Sequence, residues 1–75
     1  MTRDWAKEVK GLLKSELKRR QVSYKGLAEK LEALGIKDSE RNIANKIGRG
    51  SFTAVFLVQC LTAIGCQTVR IQDEQ

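Results

Sequence analysis

Ser23-Tyr-Lys-Gly-Leu27-Ala-Glu-Lys-Leu31-Glu-Ala-Leu34-Gly35, followed after Ile36-Lys-Asp38 by Ser39-Glu-Arg-Asn-Ile43-Ala-Asn-Lys-Ile47-Gly-Arg-Gly50, decides how this chain folds. In the first run Ser23 is a helix N-cap, and its hydroxyl can accept a free amide of the first turn. Tyr24, Leu27, Ala28, Leu31 and Leu34 then recur at three- and four-residue steps, which gathers them on one helical face, and Gly35 is a typical stop. The spacing predicts a helix over about 24–34. In the second run Ser39 caps a shorter helix to about residue 48, with Ile43, Ala44 and Ile47 inward. Glu40, Arg41, Asn42, Asn45, Lys46 and Arg49 face outward, and Gly48 and Gly50 are expected to break the helix. Two helices across a tight turn make a helix-turn-helix over about residues 24–48.

Outward from this pair the pattern stays helical. Asp4 is an N-cap for a helix over about 5–20, in which Trp5, Val9, Leu12, Leu13 and Leu17 share one face and Lys7, Lys10, Lys14 and Lys18 the other. Ser51 is expected to cap a fourth helix from Phe52 to Ile64, apolar on nearly every side. Its Phe52, Val55, Phe56, Cys60 and Ile64 are assigned to the core. Residues 67–71, Gln-Thr-Val-Arg-Ile, alternate polar with β-branched side chains and read as one short strand. The expected fold is therefore mainly α: a four-helix helix-turn-helix domain with one short C-terminal β-strand, and residues 1–75 form a single domain.

Length and composition narrow the chemistry. Seventy-five residues leave no room for a second domain with its own deep cleft. The chain has no His and two Cys, Cys60 and Cys66, in no metal-ligand spacing, so neither a metal site nor a Cys-His nucleophile is expected. The reading is of a protein that is not an enzyme and carries no cofactor. Fourteen Lys and Arg against nine Asp and Glu give a net charge of +5. The excess sits in the first two thirds of the chain, since residues 51–75 hold one basic and two acidic side chains. A basic face segregated from a neutral remainder points to a polyanionic partner. No apolar run follows the opening residues as in a signal peptide, and the charge-free stretch 51–69 is too interrupted to cross a bilayer. The expected location is therefore cytoplasmic, associated with the nucleoid, with no membrane partner.

A helix fits the major groove of DNA, where Arg matches guanine O6 and N7, and Asn matches adenine N6 and N7. Arg41, Asn42, Asn45 and Lys46 are accordingly the candidate base-reading residues. Candidate phosphate contacts are Ser23, Tyr24 and Lys25 at the start of the second helix, with Lys37 and Arg49 flanking the third. The run Ser23-Tyr-Lys-Gly-Leu27-Ala28-Glu-Lys-Leu31 resembles the S-Q-x-x-L-A-x-x-L helix of the Cro/CI phage-repressor-like helix-turn-helix family, and Ile47-Gly-Arg49-Gly50 resembles its I-E-R-G element. That resemblance spans residues 12–65 and implies a lambda-repressor-like domain in a bacterial or phage regulator of transcription. The chain departs from the pattern at Tyr24, where Gln is usual, at Gly48, where Glu is usual, and in a longer segment between Leu31 and Ala44. The wider pattern, Leu12-Leu13 through Ser39–Lys46 to Phe56-Leu-x-x-Cys-Leu, also resembles a small bacterial family of unknown function.

The expected function is sequence-specific binding of double-stranded DNA by a transcriptional repressor acting as a homodimer, with no small-molecule effector evident. The dimer is expected to close over residues 52–71. The lone strand lacks a ladder partner, and Leu57, Val58 and Leu61 exceed what a small core can cover, so Val69 and Ile71 join them in the interface. The alternative is a protein-interaction module, an adaptor or antitoxin-like subunit, gripping its partner through helix 52–64.

Overall fold

The computed structural model describes residues 3–71. Four helices follow in order: α1 Trp5–Arg19, α2 Tyr24–Ala33, α3 Glu40–Arg49 and α4 Ala54–Ala63. Each begins on a side chain that accepts a first-turn amide: Asp4 from Lys7, Ser23 from Gly26, Ser39 from Asn42 and Thr53 from Phe56, all within 3.0–3.1 Å. The cap of α4 is thus Thr53, two residues after the expected Ser51. Phe52, just ahead of it, packs edge-on against Phe56 with centroids 5.4 Å apart and ties down the entry to the helix.

The helices end as uniformly as they begin. Behind α1, α2 and α4 the chain closes three backbone bonds each onto the last turn, among them Val22 N to Leu17 O at 2.9 Å, Ile36 N to Leu31 O at 3.0 Å and Cys66 N to Leu61 O at 2.9 Å. These bonds satisfy carbonyls that a helix end otherwise leaves open. The reversal needs a left-handed residue. Gly35 supplies one after α2 at φ 84°, whereas α1 uses Gln21 at φ 57°, a conformation costly for a residue with a Cβ. Helix α3 runs through Gly48 rather than breaking there, because one glycine costs only about 1 kcal/mol in a helix that packing holds. It stops at Gly50, left-handed at φ 69°. A Cβ on Gly50 would lie 2.6 Å from the Ala6 carbonyl oxygen, so glycine there also lets α3 end directly against α1.

The core is built from one spacing used four times. Leu13 and Leu17, Leu27 and Leu31, Ile43 and Ile47, and Phe56 and Cys60 are the buried apolar residues among those described, a pair four residues apart from each helix. Helices α1 and α2 each pack on both α3 and α4. Val22, Ala28, Ile36, Phe52, Leu57, Leu61 and Ile64 pack around this centre.

Three expectations fail here. Residues 67–71 form no strand, and no strand occurs among the described residues. A strand needs a ladder partner for its backbone groups, and none pairs with this segment among the described residues. Trp5, read as core, is 62% exposed, with the Arg3 guanidinium 4.2 Å over its ring. Val55, also read as core, is 65% exposed, because the Phe56–Cys60 axis turns it outward. No helix among the described residues is long and apolar enough to cross a membrane.

Candidate nucleic-acid interface

With Ile43 and Ile47 buried, helical geometry directs Arg41, Asn45 and Arg49 away from the core, with Asn42 beside them. All four are exposed. Arg49 belongs to the last turn of α3 rather than to the segment beyond it. Lys46 is placed differently from its neighbours. Its ammonium lies 2.7 Å from Asp38 Oδ2 and 4.7 Å from the centroid of the Phe56 ring, while the Asp38 side chain is only 9% exposed. Lys46 therefore fastens the α2–α3 turn to α3 and α4, and its charge is spent inside the domain.

At the start of α2, Ser23 Oγ is engaged by Gly26 N, whereas Lys25 is exposed. Tyr24 is half-buried. It lines a shallow cleft of about 270 Å³ with Lys14, Leu17, Lys18, Val22 and Ser23. Lys25 and Lys37 both line a second groove of about 590 Å³ that reaches Ser39 and Asn42 at the start of α3, and Glu29, Glu32 and Asp38 share its wall. At the other end of α3, Lys10 Nζ donates to the Gly48 carbonyl at 3.0 Å. Sequence reasoning placed Lys10 on the solvent face of α1; the contact spans 38 residues, and no local pattern signals it.

The cations divide into two groups. Arg3 pairs with Glu8, Arg19 and Arg20 both pair with Glu16, and Lys46 pairs with Asp38. Burial of Glu16 opposes ionisation, but hydrogen bonds from Arg19 and Arg20 outweigh it and hold the carboxyl below its usual range. By contrast, Lys7, Lys14, Lys18, Lys25, Lys30, Lys37, Arg41 and Arg49 have no ion pair or side-chain hydrogen bond among the described residues. The outward face of α3, the start of α2 and one flank of α1 thus carry cations that have no ion-pair partner among the described residues.

The cysteines behave as apolar residues. Cys60 is fully buried, and desolvation, reinforced by the nearby Asp38 charge, pushes its thiol up to about 12. Cys66 is half-buried and donates to Thr68 O at 3.2 Å. No cluster of His, Cys, Asp or Glu able to hold a metal ion occurs among the described residues.

Of the residues expected at a dimer interface, Leu57 and Leu61 pack against the core and Val69 is half-buried. Val58 and Ile71 are 60% and 71% exposed. The open apolar face of α4 is therefore Val55 with Val58, one helical turn apart on a helix with no charged residue.

Compared with known proteins, the chain matches over residues 5–69 the model of a family described as a domain of unknown function. No curated protein and no solved structure matches it.

Proposed function

The chain belongs to the DUF6471 family, and we propose that it binds double-stranded DNA in a sequence-dependent way with α3 in the major groove. The observation that carries this reading is the outward row Arg41, Asn45 and Arg49, with Asn42 alongside, none of them engaged within the domain and all on a helix whose orientation three internal contacts set. Those contacts are the Asp38–Lys46 pair, the Lys10 bond to Gly48 O and the approach of Gly50 to Ala6. Arg41, Asn42 and Asn45 read base edges. Lys25, Lys37 and Arg49 meet phosphates on either side, and Lys46 positions the helix rather than reading. The resemblance of Ser23–Leu31 and Ile47–Gly50 to the Cro/CI family supports a lambda-repressor-like docking. It also supports repression by occlusion, in which bound protein blocks access to the site.

The functional unit in this reading is a homodimer closed on α4, which puts two copies of α3 on successive major grooves about 34 Å apart. Selection of bound duplexes from a random pool tests the reading, with a palindromic consensus expected. A salt titration accompanies it: roughly 6–10 phosphate contacts give a log–log slope on the order of −5 to −9. A slope near zero with no enriched duplex refutes the reading. Exposure of Val55 and Val58 also favours a second reading, a protein-interaction module that works through α4. Loss of self-association without any DNA binding to lose would leave that one standing.

A further inference from the structure

Helix α1 contains a glycine that its own packing does not explain. Gly11 lies mid-helix and exposed, and a Cβ built there would meet nothing within 4 Å. Almost any other residue would fit and would hold the helix better. At 100° per residue Gly11 falls on one line with Lys7, Lys14 and Lys18, an arc of about 60° along the helix. These three lysines are the cations of α1 that the fold leaves unpaired, whereas Glu8 and Glu16 lie on the other flank and are neutralised by arginines. The line is continuous with the candidate interface at both ends. Lys14 and Lys18 share a cleft with Ser23 and Tyr24 at the start of α2, and near the other end Ala6 and Lys10 touch the terminus of α3 at Gly50 and Gly48.

We infer that Lys7, Gly11, Lys14 and Lys18 form a track for the phosphodiester backbone of one DNA strand, with that backbone lying directly on Gly11. The inference rests on the DNA-binding reading above and extends the contact from the helix pair onto α1. The three lysines span about 16 Å of helix, and one strand of duplex carries a phosphate every ~3.4 Å of axis, so each ammonium finds its own phosphate. A side chain at position 11 would hold the strand away from the lysines on both sides. Glycine keeps the gap open at the expense of helix stability, which is how a close approach of a backbone is accommodated.

The test uses the intact chain and two variants. In the Lys7→Gln/Lys14→Gln/Lys18→Gln triple variant the log–log salt slope of duplex binding should shrink by about 5, because three phosphate contacts are lost from each protomer of the dimer, while the preferred duplex stays the same. Gly11→Gln should raise the melting temperature by roughly 2–5 °C yet weaken duplex binding several-fold, opposite effects that a purely structural glycine would not produce. A wild-type protein that binds DNA with a steep salt slope, beside a triple variant that keeps that slope or a Gly11→Gln variant that binds as tightly, overturns the track and leaves α3 as reader. A wild-type protein that binds no duplex overturns the DNA reading itself.

Discussion

Two left-handed residues make opposite predictions. Gly50→Ala must place a methyl group 2.6 Å from the Ala6 carbonyl oxygen while holding a φ that L side chains resist, and is expected to cost about 2–4 kcal/mol by chemical denaturation. Gln21 already bears such a strain at φ 57°, so Gln21→Gly is expected to stabilise by about 0.5–1 kcal/mol in the same measurement. The thiols are a second contrast. Alkylation of the native protein near pH 8 should modify Cys66 and spare Cys60, because burial keeps the latter protonated. The unfolded thiol ionises near 9 and the folded one near 12, so the Cys60 contribution favours unfolding progressively as pH rises between those values. The buried row Leu13, Leu17, Leu27, Leu31, Ile43 and Ile47 was legible in the sequence because it follows a local period. Lys46 was not. Its place on α3 suits a reader, and only the turn folding back to bring Asp38 against it reveals a positioning role.

Among the elements, α3 is where the DNA-binding proposal separates structural from recognition effects most sharply. Arg41→Ala and Asn45→Ala remove exposed side chains without partners, so stability should hold within about 0.5 kcal/mol while duplex affinity falls by ~1–3 kcal/mol. Lys46→Ala leaves the Asp38 carboxylate shielded and unpaired. Chemical denaturation should show a loss of about 1–3 kcal/mol, and DNA binding should suffer only in proportion. On α1 the Glu16 carboxyl, held low by Arg19 and Arg20, stabilises the fold above its unfolded pKa; this contribution disappears as pH falls through the depressed folded value. Glu16→Gln should flatten that acid limb in a melting-temperature series. Starts of α1, α2 and α3 were readable from Asp4, Ser23 and Ser39. The start of α4 was not, since Ser51 and Thr53 are chemically equivalent caps and the Phe52–Phe56 contact decides between them. The segment 67–71 misled because alternation is a local signal, whereas a strand also needs a ladder partner; within the segment Val69 alone is half-buried, and Ile71 is exposed.

For the whole molecule, the charge-free helix α4 with Val55 and Val58 exposed is the surface on which copies of a +5 chain can meet with least repulsion. Val58→Asp is expected to shift sedimentation toward the 8.4 kDa monomer and to lower operator affinity, and Val55→Asp should act alike. Unchanged sedimentation in both would remove the dimer from the reading. The closed ends of the helices carry a further consequence, one of time. Every helix is capped at its start by a residue within three positions, and each stop bonds back to its own last turn. Each element therefore carries its boundaries with it, and little remains to be found by long searches through the chain. The chain contains no proline, so no slow isomer has to be awaited. Refolding should be a single relaxation in the microsecond-to-millisecond range, fast enough that the domain can form as soon as α4 has left the ribosome.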